Sequence, residues 1–478
     1  MKQLTLSALT PSRMSPVALA AAVMAGALWA LPARADTQEE LLKELRALKA
    51  RVAELEKKVE ASEARAAENP PGMTADQQQE FNRIAIKAEA LEDARDMLGL
   101  KGLKVSGYMD PTFIYNQRQD RAGFQFLNNV SDDLYNYDNS YFGAAVIDFV
   151  KETDGGARWR LTLAPNRGVG TVFNGESPVH EASVSIPLTD LQTRLIAGQI
   201  PDWSGFEYLQ PTLNKLITHN LLFDFTLPTA YTGAGLELTS GKWIVKGVLA
   251  NVNASKRAAG ESAPALAYRV DYAKGEFQGF GFAGVHGKAP NFSENILDDA
   301  GEVVAQPDSR VDLFEFDAYF IRGDWTVQGQ LSWGRQERTA ITPDPDTGEL
   351  RDAQWWGVSA LAAYKFEPRL EGTVRLDYLN NRKNGGGLLG YSAADDRNGI
   401  GPAVAGIDDD GNVVYDDPER GVNRWALSFG LSYLFNQNTT FKVEYRHDGA
   451  SGPVFLDVKS GDYRKTNQLL GASVLVSF

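Results

Sequence analysis

From about Leu103 to Phe478 the chain repeats one pattern, in which apolar and polar residues alternate with a period of two. In "DWTVQGQLSWGRQER" Trp325, Val327, Gly329, Leu331 and Trp333 share one face, and Thr326, Gln328, Gln330 and Ser332 share the other. "NRWALSFGLSYLFN" sets Trp425, Leu427, Phe429, Leu431, Tyr433 and Phe435 against Arg424, Ser428, Gly430 and Ser432. "RLEGTVRLDYLNN" sets Leu370, Val374, Leu376 and Tyr378 against Glu371, Thr373, Arg375 and Asp377. Successive side chains of a strand point to opposite faces, so this period predicts strands with one apolar and one polar side. The apolar faces begin and end on aromatics: Trp325 and Trp333, Trp356 and Phe366, Trp425 and Phe435. Aromatic ends around an aliphatic middle make the girdle of a transmembrane barrel, whose polar faces line a wet interior. A soluble sandwich has no need of charged inner faces such as Lys442, Glu444 and Arg446.

The connections alternate in length. Tight turns fall near Asp154–Gly156, Thr189–Asp190, Ser240–Gly241, Lys274–Glu276, Arg322–Asp324, Glu367–Arg369 and Asn436–Asn438. Longer connections fall near 117–139, 166–177, 201–228, 253–264, 287–308, 338–353, 381–422 and 449–463. Seven short and eight long connections join sixteen antiparallel strands, predicting a closed all-β barrel over 102–478. An even count puts both barrel ends on the short-turn, periplasmic side. The chain ends "NQLLGASVLVSF", with Leu470, Ala472, Val474, Val476 and Phe478 on one face. This last strand is expected to pair with the one starting near Leu103, closing the sheet and removing both edges, with Phe478 in the periplasmic-side girdle.

Before the barrel the period changes. Residues 1–35 read as a secretory signal peptide: Lys2 and Arg13, the run "PVALAAAVMAGALWALP", then Ala33 and Ala35 at small-residue positions, with cleavage after Ala35. In residues 36–68, Leu41, Leu45, Leu48, Val52, Leu55 and Val59 step by four and three in turn, the seam of a coiled coil. In a parallel pair the flanking couples are Glu44–Lys49, Arg51–Glu56 and Lys58–Glu63, all of opposite sign, which favours oligomerisation. "NPPGM" breaks the helix, and a second one is expected at 74–98 behind a Thr74–Gln77 capping box, so 69–101 is a linker and helix. Its apolar stripe packs on the segment C-terminal to it, or places the helix at or in a channel.

Composition narrows the class further. Losing the three cations of residues 1–35 takes the formal charge from −14 to −17, a poor balance for binding nucleic acid. The chain has no cysteine, which excludes disulfides and thiolate metal sites. An enzyme needs a nucleophile and base within reach, and His180, His219, His286 and His447 are scattered with no Gly-x-Ser-x-Gly elbow nearby. The reading is therefore non-enzymatic.

For a channel, the relevant chemistry is the charge along its narrowest part. Strand parity points Asp110, Asp148, Arg158, Arg160, Glu181, Glu237, Lys246, Arg375, Asp377, Lys442, Glu444 and Arg446 inward. These form facing walls of opposite sign, or else pair across neighbouring strands. The connection 201–228 is the constriction candidate: "QPTLNKLITHN" contains a helix-like stretch too apolar to leave bare outside. Folded inward it would bury Leu213, Leu216 and Leu221 and present Asp202, Glu207, Lys215 or His219 to the pore. "LDDAGEVV", "DPDTGEL" and "DDDGNVVYDD" are acidic outer turns. Asp and Gly at those offsets mark turn tips, and such carboxylates are also a ligand class for Ca²⁺ or Mg²⁺, though the spacing matches no EF-hand loop. No other cofactor is indicated.

Three stretches carry a family resemblance: "FNRIAIKAEALEDA", "GLKVSGYMDPTFIYNQ" and "IAGQIPDWSGFEYLQPTLNKLITHNLLFDFTLPTAYTGAGLEL". Over roughly residues 80–478 the chain resembles the OmpL-like outer-membrane β-barrel porins. The likeness implies a porin-type barrel in the outer membrane of a Gram-negative bacterium, surrounded by lipid, and names no substrate. A coiled coil ahead of a barrel is also similar to the phosphate-selective porin group, which implies a homotrimer, with a dimer still open. The basic loops that anion selection would want are missing. Two functions fit: a porin passing small hydrophilic solutes or ions by diffusion, and a barrel anchor whose periplasmic coiled coil tethers the membrane to the cell wall or a partner.

Overall fold

The computed structural model describes residues 79–87, 89–90, 99–125, 143–164 and 178–478, apart from 211, 255–256, 258, 263, 274, 292–293, 295, 299–302, 306, 345, 382 and 384–393. It divides into two units, Met1–Lys101 and Gly102–Phe478. In the first, residues 79–87 and 89–90 are helical, inside the helix expected at 74–98. The signal peptide, the heptad seam and the 69–73 break lie outside the described residues.

The second unit is a closed antiparallel barrel. Its main sheet contains eighteen hydrogen-bonded segments among the described residues. Leu103–Met109 and Thr112–Asn116 are two halves of one strand, interrupted at Asp110–Pro111, and both pair with Thr466–Ser477. Ala145–Glu152 and Arg121–Gln125 pair in turn with those same halves and form the second strand. Sixteen strands result, as the alternating connections predict. The first long connection, expected at 117–139, begins differently: the chain turns tightly at 117–120 and runs back as Arg121–Gln125. Phe478 N–H donates to Gly107 O at 3.1 Å, and Gly107 N–H donates to Phe478 O at 3.3 Å, tying the last residue to the first strand.

The tight hairpins follow local chemistry. Ser240 faces Trp243, and Arg322 faces Trp325, across two-residue turns in which Gly241 and Gly323 both take φ of +58°. That left-handed conformation matches the twist of the flanking strands and suits glycine.

The outer face carries the aromatics. Trp325, Trp356 and Trp425 are 51%, 45% and 38% exposed, and Phe366 and Phe435 are each 56% exposed. The inner face departs from a uniformly wet lumen. Towards the long connections it turns apolar, through Val248, Val311, Leu313, Trp355, Leu379 and Ala426, and packs around Leu221, Leu222 and Phe225 of an inserted helix. The barrel's main core therefore lies inside it. Fully burying each of those three helix side chains is worth about 1.5–3 kcal/mol, an upper figure because the unfolded chain already buries some surface.

Candidate functional site

The inserted helix, α1 (Leu221–Thr226), belongs to the connection between strands Thr193–Pro201 and Ala230–Ser240. Its start is set by Asn220, whose side chain accepts from Leu222 N–H at 2.9 Å and Phe223 N–H at 2.8 Å. The "QPTLNKLITHN" stretch is not helical, and the helix begins where it ends. The reason lies across the lumen: Ile217 and Thr218 give their N–H groups to Glu444 at 2.7 and 2.8 Å, and the Thr218 hydroxyl adds a third bond at 2.6 Å. Bonds to the wall replace bonds within a helix.

Arg375 is the main clamp. It donates to Glu207 Oε1, Thr218 O and His219 O, each at 2.7 Å, and to Asp377 at 3.1 Å. Arg446 donates to His219 O at 2.8 Å, Lys442 to Asn214 O at 2.6 Å, and Lys215 to Glu371 at 2.8 Å. Asn220 N–H returns a bond to Glu207 Oε2 at 2.6 Å. Arg375 and Arg446 are each 0% exposed, which is tolerable only with such dense pairing.

Shape completes the fit. A Cβ added to Gly430 would lie 2.3 Å from Leu216 Cδ2, at Gly357 2.9 Å from Leu222 Cδ1, and at Gly471 3.2 Å from Ile217 Cδ1. These inward glycines are sockets for the loop's apolar side chains. Sequence reasoning missed their role, although a glycine on the polar face of an otherwise regular strand is the signal of a close approach.

The sequence-selected residues thus separate into two groups. Arg375, Asp377, Lys442, Glu444 and Arg446 lie beneath the loop and hold it, with little or no contact with open solvent. On the opposite wall Arg160 donates to Asp148 at 2.8 Å and lies 3.3 Å from Glu181, Arg158 pairs with Glu152 at 3.0 Å, and Lys246 stands 3.6 Å from Glu237. Asp110 is buried at the break in the first strand, within electrostatic reach of Lys442. Within the loop, Leu216 and Leu221 are buried, but Leu213 is 56% exposed and lines a cavity, because its neighbours' bonds to the wall turn it away from the packed side. Asp202 accepts from Tyr231 and Ser204, and Glu207 is held by Arg375; both line the same cavity. Lys215 and His219 face the docked side, His219 stacking on Phe223 at 4.1 Å.

Two cavities that share Arg160 and Glu181 lie between the loop and that opposite wall. One, of about 210 Å³, is on the long-connection side, bordered by Arg160, His180, Glu181 and the loop. The other, of about 380 Å³, is on the short-turn side, bordered by Arg158, Arg160, Arg194, Lys246, Glu181 and Glu237. Arg194, which sequence reasoning did not select, donates to Ser185 Oγ at 2.6 Å and to Gly156 O at 2.8 Å.

At the acidic outer turns the carboxylates cap their own backbone. Asp344 accepts from Thr347 and Asp346 N–H, and Asp408 from Asn412 and Asp410 N–H, which holds both acids below the usual carboxylate range. Among the described residues no three acids or histidines converge on a point that would hold a metal ion.

Residues 71–478 match a family model described as "Protein of unknown function (DUF3138)". The chain belongs to that family. No curated protein matches the sequence. Its fold is similar to those of solved outer-membrane porins. Against in-vitro folded OmpT of Vibrio cholerae in its trimer form, identity is 10%, coverage 79% of this chain and 99% of that one, and the TM-score 0.49. The anion-selective porin of Comamonas acidovorans gives 9%, 79%, 99% and 0.49. Salmonella typhi OmpF in complex with daunomycin gives 12%, 79%, 97% and 0.47.

Proposed function

We propose that this protein is an outer-membrane porin that passes small hydrophilic solutes or ions by diffusion, with the connection 202–229 as its constriction. What carries the reading is the inward loop. It is clamped to one wall by Arg375, Arg446 and Glu444 and leaves cavities along the other wall lined by Arg158, Arg160, Glu181, Glu237 and Lys246. The outward aromatics fit a lipid boundary. In this reading residues 1–35 direct export, 36–68 form a periplasmic coiled coil that oligomerises the barrel, 69–101 link the two, and 102–478 span the membrane. The trimer is favoured by the resemblance to coiled-coil porins.

The test is single-channel recording of the purified full-length protein in planar bilayers under a KCl gradient. Discrete conductance steps support the reading, and the reversal potential gives the ion preference. A folded, heat-modifiable barrel that conducts nothing would overturn it and favour the anchor. Deleting residues 36–99 should leave conductance intact while changing the oligomeric state.

A further inference from the structure

Resting on that pore reading, we propose that the short-turn cavity is a saccharide station in the passage, where the Trp203 ring carries the apolar face of an uncharged sugar and the ion pairs around it take the hydroxyls. The charges decide against ions. Bordering the cavity or bonded to its lining are four bases, Arg158, Arg160, Arg194 and Lys246, and four acids, Asp148, Glu152, Glu181 and Glu237. They are matched locally: Arg158 with Glu152, Arg160 with Asp148 and Glu181, and Lys246 with Glu237. Arg194 stands across from Glu237 on the neighbouring strand. A lining that cancels itself draws in neither sign, yet it is dense in donors and acceptors. A hydroxyl both donates and accepts, so a polyol bridges a carboxylate and the base beside it without carrying charge. The side chains of Arg158, Arg160, Lys246 and Glu237 are 52%, 36%, 29% and 25% exposed, which leaves them open to such a solute.

Trp203 supplies what the ion pairs lack. It borders the same cavity together with Ile196 and Ile200, giving the polar space one apolar side. The residue is held in place: its ring packs on Tyr231 at 4.9 Å, and its carbonyl accepts from Arg269 at 2.6 Å. Lys246 Nζ stands 5.9 Å from the ring centre. A sugar has a face of weakly positive C–H groups, which suits the negative face of an indole, and its hydroxyls project from the rim. A sugar laid on Trp203 therefore has its rim beside Lys246 and Glu237. A salt ion has no use for the ring, and an apolar solute has none for the pairs. The volume, about 380 Å³, lies within the ~300–1,000 Å³ of small-molecule sites.

The experiment is conductance of the full-length protein in planar bilayers in KCl as glucose is added, with tetraethylene glycol as an uncharged solute of similar size. In the unaltered protein glucose lowers the conductance along a saturating curve, and the glycol lowers it in proportion to its concentration. Trp203→Ala raises the half-saturating glucose concentration about tenfold, and Trp203→Phe, which keeps a ring, raises it less. Trp333→Ala, against Phe314 in the outward girdle, leaves it unchanged. Lys246→Gln combined with Glu237→Gln alters no net charge, so it raises the half-saturating concentration about threefold or more at an unchanged reversal potential. This double variant carries the test if Trp203→Ala fails to give a heat-modifiable barrel. A response to glucose that never saturates, or the same half-saturation in the folded variants, would overturn the saccharide station and leave the pore standing. No conductance through the unaltered protein would overturn the pore reading and the station with it.

Discussion

Arg375 and Glu207 are 168 residues apart in sequence and 2.7 Å apart in space, with side chains 0% and 3% exposed. The pair joins the far wall of the barrel to the start of the inward loop, and the neutralised acid then receives the Asn220 N–H that precedes α1. One guanidinium therefore ties the start of the loop, at Glu207, to its middle, at Thr218 and His219.

Arg375→Ala removes that charge and strands Glu207 and Asp377 beside each other's field, a loss of about 3–5 kcal/mol if the loop stays in place. The loop relieves the cost by leaving its seat. Single-channel recordings should show conductance raised about twofold or more, with added open-channel noise. Unchanged conductance in a folded variant would mean that the loop does not limit the pore.

Gly430→Val tests the seat by shape alone. The new side chain occupies the place of Leu216 Cδ2, and overpacking of this kind costs about 1–3 kcal/mol. The same rise in conductance should follow without any change of charge or reversal potential. Glu444→Gln, which keeps a neutral acceptor for Ile217 and Thr218, should have the milder effect of the two.

Gly107 and Phe478 provide a test of closure. A Cβ at Gly107 would lie 2.8 Å from the Phe478 ring, in the same place where the two backbones exchange hydrogen bonds. Gly107→Val should lower the yield of heat-modifiable folded barrel on electrophoresis. Phe478→Ala in the same background should recover part of it by removing the ring.

Acid should loosen one outer loop. Burial pushes the Asp457 carboxyl up, but the Arg118 guanidinium at 2.7 Å and the N–H groups of Lys459 and Ser460 outweigh it, and the group sits below the usual carboxylate range. A depressed acid contributes stability above its unfolded pKa, and this is lost as pH falls through the folded value. The 451–465 segment should therefore exchange its amide hydrogens faster as pH drops from neutral to below about 4, after correction for intrinsic rates. Arg118→Gln should remove most of that difference.

Much of the architecture was legible in the alternation of residues, because a strand's period and a girdle's aromatics are local properties. Trp325, Trp356 and Phe435 could be assigned outward from their own neighbours. The inward course of the connection read at 201–228 was legible too, from the cost of exposing its leucines. What could not be read was which charges serve the passage and which hold the loop. Parity places Arg160 and Arg375 on the same side of the sheet, and only the loop's seating against one wall separates them. The start of α1 was misjudged for a related reason, since Glu444, more than 200 residues away, takes the N–H groups that a helix would use.

The glycine sockets also impose an order of events. The loop leaves the wall after Pro201, but Gly357, Gly430 and Gly471 belong to strands synthesised later, the last of them the closing strand itself. A half-assembled sheet has no seat to offer. The narrowing of the lumen therefore waits for the closing strand, because one of its three seats, Gly471, lies on that strand.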